Sequence, residues 1–184
     1  MKIVNDTGNV MTEPNGHIPV DWETVYWQQT PRLYNYFRYR TGDGDTAQEL
    51  TAKTMERAWR YRERYRHDLG AFEAWLFQIA RNSLADWLMQ RRPPDLPLDA
   101  IEHLAQVGSV EHEIEQRQNA ARLYVLLAKL KPADQELIAL KYGAGLTNRA
   151  IAAITTHSES SVGTTLHRVI QKLRLEWGVT EEWR

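Results

Sequence analysis

The chain has 184 residues, 42% hydrophobic and 26% charged, with a formal net charge of -1, a balance that suits a folded globular protein and excludes a disordered one. It has no cysteine, which excludes disulfides, thiolate metal sites and cysteine nucleophiles, and its six scattered histidines form no HExxH-like pair, so no metal and no other cofactor is expected. No run of about 18 apolar residues occurs and the N-terminus lacks a basic patch followed by an apolar core, so membrane insertion is not expected and a cytoplasmic location is.

Residues 1–19 contain Gly8, Pro14, Gly16 and Pro19 with little apolar periodicity and are expected to form a disordered tail. Asp21 is a plausible N-cap for a helix whose stripe runs Trp22, Val25, Tyr26, Leu33, Tyr36 and Phe37, with Pro31 expected to interrupt or kink it. A turn over 41–45 leads to a second helix, capped by Asp45, with Ala47, Leu50, Thr54, Ala58 and Tyr61 on one face and an end near His67. After a loop at 67–70, Phe72, Trp75, Leu76, Ile79, Ser83 and Trp87 recur at three- and four-residue steps to about Arg92. Pro93 and Pro94 end that helix, because proline has no amide donor and forces its predecessor out of helical geometry.

A first domain over 20–92 is therefore predicted, followed by a flexible linker over 93–109. The second domain, 110–176, opens with a helix carrying Ile114, Ala121, Tyr124 and Val125. Pro132 then takes the first position of the next helix, and the chain turns at 143–145. Thr147 caps a helix with Ile151 and Ile154, and Ser158 caps a last one with Val162, Leu166, Val169, Ile170 and Leu173. Residues 177–184 form a C-terminal tail. No strand is predicted: the fold class is all-α, two small helical domains on a flexible linker.

Counted by segment, the charge is not uniform. Residues 32–92 carry 12 Lys and Arg against 8 Asp and Glu, and 120–174 carry 8 against 3, whereas 93–119 carry 1 against 6. Two basic modules separated by an acidic connection fit a bipartite nucleic-acid reader.

The last two predicted helices have the spacing of a helix-turn-helix, in which the second helix enters the major groove. Outward positions on it include Glu159, Ser160, Gly163, Thr164, His167, Arg168 and Gln171, of which the hydroxyls can donate or accept and Arg168 can contact guanine or phosphate. The same caps would serve a plain helical hairpin, and periodicity alone leaves both readings open. In the first domain Tyr61, Tyr65, Phe72, Trp75, Phe77 and Trp87 interleave with Arg60, Arg62, Arg64, Arg66 and Arg81. Such a pattern can stack unpaired bases, although Phe72, Trp75 and Trp87 lie on or beside the core stripe and the arginines can be a solvated face.

Taken together, Ala47-Gln48-Glu49-Leu50, Arg57-Ala58-Trp59, Phe72, Ala74-Trp75-Leu76, Ile79-Ala80-Arg81-Asn82 and Asp86, followed by Leu130-x-Pro132, Leu140-Lys141-Tyr142, Gly145-Leu146-Thr147, Ile151-Ala152, Ser158-Glu159, Val162, Leu166-His167-Arg168 and Leu173-Arg174, resemble the extracytoplasmic-function sigma factors of the sigma-70 family. The first set is similar to the family's region 2 and the second to region 4. The resemblance implies a promoter-specificity subunit, not an enzyme, with RNA polymerase core enzyme, promoter DNA and an anti-sigma factor as partners.

It further implies that His67, Asp68, Arg81, Asn82 and Asp86 serve the unpaired -10 element. Ser160, Thr164, Thr165, His167, Arg168, Gln171 and Lys172 would serve the -35 duplex, and Glu49, Leu50, Met55 and Arg57 the polymerase. Asn82 has a second reading, as a hydrogen bond bracing the helix end. The chain departs from the pattern at Ala52 and Lys53, where the core-docking helix usually carries a glutamine-glutamate pair, at Gly163 and Thr165, where basic residues are usual, and at Thr155-Thr156 in the turn. The first departure motivates an alternative: a helix-turn-helix regulator that no longer docks productively on polymerase.

Overall fold

The computed structural model describes residues 21–66, 71–90 and 110–178, with the side chains of 110–117 left out. The tail at 1–19, the linker at 93–109 and all but the start of the predicted C-terminal tail lie outside the described residues. Seven α-helices and no strand are found among those described.

Helix α1 (Trp22–Thr41) starts where the Asp21 carboxylate accepts from the Thr24 amide at 3.2 Å, a side-chain cap for an otherwise unpaired helix donor. It continues through Pro31 without the interruption that proline can impose. The missing amide would have paired with the Trp27 carbonyl, and both Pro31 and the 70% exposed Trp27 lie on the solvent side, where water can satisfy that carbonyl. Gly42, at φ 70°, ends the helix in a left-handed cap.

Helix α2 (Gly44–Arg60) is capped by Asp43 rather than Asp45: the Asp43 carboxylate accepts from the Thr46 amide at 2.8 Å. Its buried stripe is Ala47, Leu50, Thr51, Thr54 and Ala58. The helix stops at Arg60 instead of near His67, and a 3₁₀ turn at Arg62–Arg64 follows. Burial of Tyr65 decides this end, since its ring packs 5.2 Å from Phe72 and 5.4 Å from Trp75, centroid to centroid. Helix α3 (Phe72–Gln90) closes the first bundle with Leu76, Phe77, Ala80 and Leu84 against Leu33, Tyr36, Phe37, Ala47 and Leu50.

In the second domain α4 (Val110–Ala128) leads to α5 (Pro132–Ile138), with Pro132 at its first position. A π-helical turn, Ala139–Gly143, continues α5, and Gly145 at φ 67° reverses the chain, a conformation that suits glycine because it lacks a Cβ. Helices α6 (Asn148–Ile154) and α7 (Glu159–Trp177) are capped by Thr147 and Ser158, whose hydroxyls accept from the Ala150 and Ser161 amides. Trp177, assigned by sequence to the tail, instead completes α7, with its ring 4.8 Å from the Arg122 guanidinium and its carbonyl accepting from Arg122 at 2.7 Å.

The two domains pack directly on each other. The backbone of the π turn approaches that of α1 so closely that a Cβ added at Gly143 would lie 3.0 Å from the Asn35 carbonyl oxygen. Arg32 Nε donates to the Ala144 carbonyl at 2.7 Å and Arg40 Nη1 to the Pro132 carbonyl at 2.9 Å. The Tyr39 and Tyr124 rings meet edge-on at 6.4 Å, and the buried Arg38 guanidinium lies 4.3 Å from the Tyr124 ring centre. One continuous buried cluster thus spans both domains.

Candidate nucleic-acid interface

Helices α6 and α7, with the turn at 155–157, form the helix-turn-helix. Val162, Leu166, Val169 and Leu173 bury one side of α7, so the 3.6-residue repeat turns Ser160, Thr164, His167 and Gln171 to the opposite side. Ser160, Thr164, His167, Arg168 and Lys172 are exposed, Thr165 and Gln171 half-buried. The Thr164 hydroxyl lies 3.0 Å from the Ser160 carbonyl. Donating there, it leaves its lone pairs outward as acceptors. Two of the three cations on this helix, Arg168, Lys172 and Arg174, have carboxylate neighbours: Lys172 lies 3.7 Å from Glu176, and Arg168 Nη2 lies 3.0 and 3.2 Å from the two oxygens of Asp134. Gly163 faces α6, and a Cβ there would meet only the Asn148 amide nitrogen, at 3.4 Å.

On α3 the residues expected at the -10 element fall into two groups. Arg81 Nε donates to Glu136 at 2.7 Å, while its Nη1 reaches the Gln78 side chain at 3.2 Å and the Ile154 carbonyl. Glu136 and Ile154 belong to the second domain, so Arg81 is a cross-domain anchor in this arrangement. The exposed Asn82 accepts from Gln78 Nε2 at 3.2 Å, a side-chain bond within the middle of α3. Arg40, Gln78, Arg81, Asn82, Leu88 and Glu136 are among the lining of an open cavity of about 280 Å³ where the domains meet. His67 and Asp68 lie outside the described residues.

The second group joins residues that the sequence assigned to different partners. Arg57, expected at polymerase, donates to Asp86, expected at DNA, at 2.8 Å and to Ser83 Oγ at 3.3 Å. This bridge ties α2 to α3. Of the other polymerase candidates, Leu50 requires correction: at 1% exposure it is a core residue of the first bundle and offers a partner no surface. Met55 is partly buried. Glu49 is exposed and carries the Lys53 ammonium at 2.5 Å, so the departure at Lys53 neutralises the nearest acidic group.

The aromatic set separates as well. Phe77 is fully buried, and Tyr65, Phe72 and Trp75 pack together. Trp59, part of the Arg57-Ala58-Trp59 motif but not counted among the stacking aromatics, is 52% exposed and has the Arg62 guanidinium 4.4 Å from its ring; Tyr61, 39% exposed, has Arg64 at 4.8 Å. Asp134 and Glu136 were also missed, since nothing in a local pattern marks a carboxylate that will meet an arginine 34 or 55 residues away. Among the described residues no group of three or more His, Asp or Glu is placed to hold a metal ion, and no helix is long and apolar enough to cross a membrane.

Residues 26–93 match the family model Sigma-70 region 2, and 120–173 match Sigma-70, region 4. The ECF RNA polymerase sigma factor SigL of Mycobacterium tuberculosis is 30% identical over 163 residues, 85% of this chain and 90% of SigL. BldN of Streptomyces coelicolor, also an ECF RNA polymerase sigma factor, is 30% identical over 154 residues; that alignment takes in 81% of this chain and 57% of BldN, so the chain spans little more than half the length of that relative. Among solved structures, the sigma factor RpoE in complex with the anti-sigma factor NepR from Bartonella quintana superposes with a TM-score of 0.67 at 19% identity, covering 88% of this chain and 99% of that one. CnrH in complex with the cytosolic domain of CnrY gives 0.65 at 21%, covering 87% and 89%. At these identities the structural likeness speaks for the fold.

Proposed function

The chain belongs to the extracytoplasmic-function sigma factors of the sigma-70 family, and on that premise we propose that it directs RNA polymerase core enzyme to specific promoters, reads a -35 element as duplex, captures an unpaired -10 element and promotes open-complex formation. The observation that carries this reading is the outward polar row Ser160, Thr164, His167 and Gln171 on the second helix of the helix-turn-helix, in a chain that also contains the whole region 2 match. Hydroxyl, imidazole and amide groups on such a row suit base edges in the major groove. Arg168 and Lys172 flank the row, each beside a carboxylate.

Capture of the -10 element needs a flipped base, at a cost of about a few kcal/mol that contacts must return. Asn82 and Asp86, together with His67 and Asp68 from earlier in the chain, are proposed for the pocket. Trp59 and Tyr61, each with a guanidinium on its ring, are proposed to stack the adjoining unpaired bases. Arg81 joins this set only when it leaves Glu136 and Ile154, so its use at the -10 element requires the two domains to part. Glu49, Met55 and Arg57 are proposed for the polymerase face, Arg57 acting through its hold on Asp86.

Sigma factors are generally non-enzymatic initiation factors, and this chain is proposed to have no catalytic activity of its own, to work in the cytoplasm, and to be restrained by an anti-sigma factor. The proposed domains are 20–92 and 110–176. The relatives' names speak against the alternative of a regulator that does not engage polymerase. Run-off transcription of the source genome by core polymerase, with and without the chain, tests the proposal: discrete new starts sharing two spaced elements are expected, and their absence with folded protein overturns it. Arg168→Ala should then weaken binding of the -35 duplex, and Asn82→Ala should impair opening with duplex binding retained.

A further inference from the structure

The Asp134 carboxylate sits in the first turn of α5, where the helix N-terminus favours negative charge. Its side chain is 14% exposed, whereas that of Arg168 is 63% exposed. The carboxylate is therefore the anchored member of the pair and the arginine the mobile one. Both oxygens lie within 3.2 Å of Arg168 Nη2, which leaves Nη1 and Nε of the guanidinium as uncommitted donors. An ion pair whose arginine stands mostly in solvent adds little to folding stability, so its consequence is expected at the DNA surface.

We propose that Asp134 is a specificity-determining positioning residue: it pins the Arg168 guanidinium beside the outward row of α7 and cancels its charge, so that Arg168 reads a base and does not grip any passing phosphate. This rests on the assignment of α7 to the -35 element. A free arginine on that helix would sweep many rotamers and find phosphate oxygens on either side of the groove, a contact without sequence information. Tied through Nη2, it presents its remaining donors from one place, as base readout requires. The pair is formally neutral and releases no counterion, whereas an untied Arg168 would neutralise one more phosphate.

The test uses holoenzyme assembled from core polymerase and the full chain, with the -35 duplex taken from mapped transcript starts and a scrambled duplex as competitor, over a range of salt. Asp134→Ala should raise affinity for the scrambled duplex, steepen the salt dependence by about 0.9 in log-log slope, and lower discrimination by roughly 5- to 150-fold, the span a well-placed arginine contributes at one base pair. Asp134→Asn keeps an acceptor oxygen without the charge, and should steepen the slope while retaining part of the discrimination. In an Arg168→Ala background the change at Asp134 should no longer alter discrimination. Wild-type discrimination with an Asp134→Ala variant equal to it in slope and selectivity overturns the inference and leaves the sigma reading standing. A wild-type holoenzyme that shows no preference for the -35 duplex overturns both.

Discussion

Replacing Gly143 by alanine tests whether the two domains are held by backbone contact. The added Cβ would lie 3.0 Å from the Asn35 carbonyl oxygen, 3.1 Å from its carbon and 3.2 Å from Tyr36 Cα. All three atoms belong to the backbone of α1, which cannot swing aside as a side-chain tip can. Carbon and carbonyl oxygen ordinarily approach to about 3.3–3.6 Å, so α1 and the π turn must separate by a few tenths of an ångström. Overpacking of this kind costs about 1–3 kcal/mol, and the reduced unfolded-state freedom of alanine returns about 0.4–1 kcal/mol. The net expectation is a loss of roughly 1–2 kcal/mol, about 2–8 °C in Tm for a chain of this size.

Strain at a junction has a further outlet, because the second domain can lift away and release Arg32 from the Ala144 carbonyl. Urea unfolding followed by circular dichroism gives the stability. Fluorescent labels at Lys53→Cys and Arg174→Cys, both exposed, give the domain separation, and a chain without native cysteine labels cleanly. A Gly143→Ala protein as stable as wild type or more so, with unchanged separation, would refute the close approach.

Glu136→Gln should cost roughly 1–2 kcal/mol, between the values for exposed and buried ion pairs, because both side chains of the Arg81–Glu136 pair are about three-quarters covered; a double-mutant cycle with Arg81→Gln measures the coupling. Burial pushes the Tyr36, Tyr39, Tyr65 and Tyr124 hydroxyls above the ordinary value of 10.0. Their folded pKa values being the higher ones, stability should be fully present below pH 10 and fall as the pH rises beyond it, which denaturant midpoints from pH 8 to 11 will report. Gly163→Ala should stabilise the second domain by up to about 1 kcal/mol through helix propensity, since the new methyl meets a single amide nitrogen at ordinary contact distance; an unchanged or lower Tm would contradict this.

Caps, stripes and punctuation were legible in the chain itself. Asp21, Thr147 and Ser158 mark helix starts where they were expected, because a cap is a bond between residues three apart and needs no distant partner, and Pro132 marks another because its fixed φ suits the first helical position. The apolar repeat likewise placed Val162, Leu166, Val169 and Leu173 inside and Ser160, Thr164 and His167 outside. The errors occurred where distant contacts compete with local preference: Tyr65 pulls the chain out of α2 to reach Phe72 and Trp75, and α1 carries Pro31 because the affected carbonyl faces water.

Sequence alone determined the all-α class, the helix-turn-helix and the ordered motifs that resemble regions 2 and 4, because these rest on periods of three to seven residues and on the spacing of residue types. Only the tertiary structure decided what the charged side chains do. Arg57 meets Asp86, Arg81 meets Glu136, Arg168 meets Asp134, and Gly143 lies against α1; each contact joins residues at least 29 apart in the chain. An ion pair depends on where two helices cross, and no local pattern records the crossing.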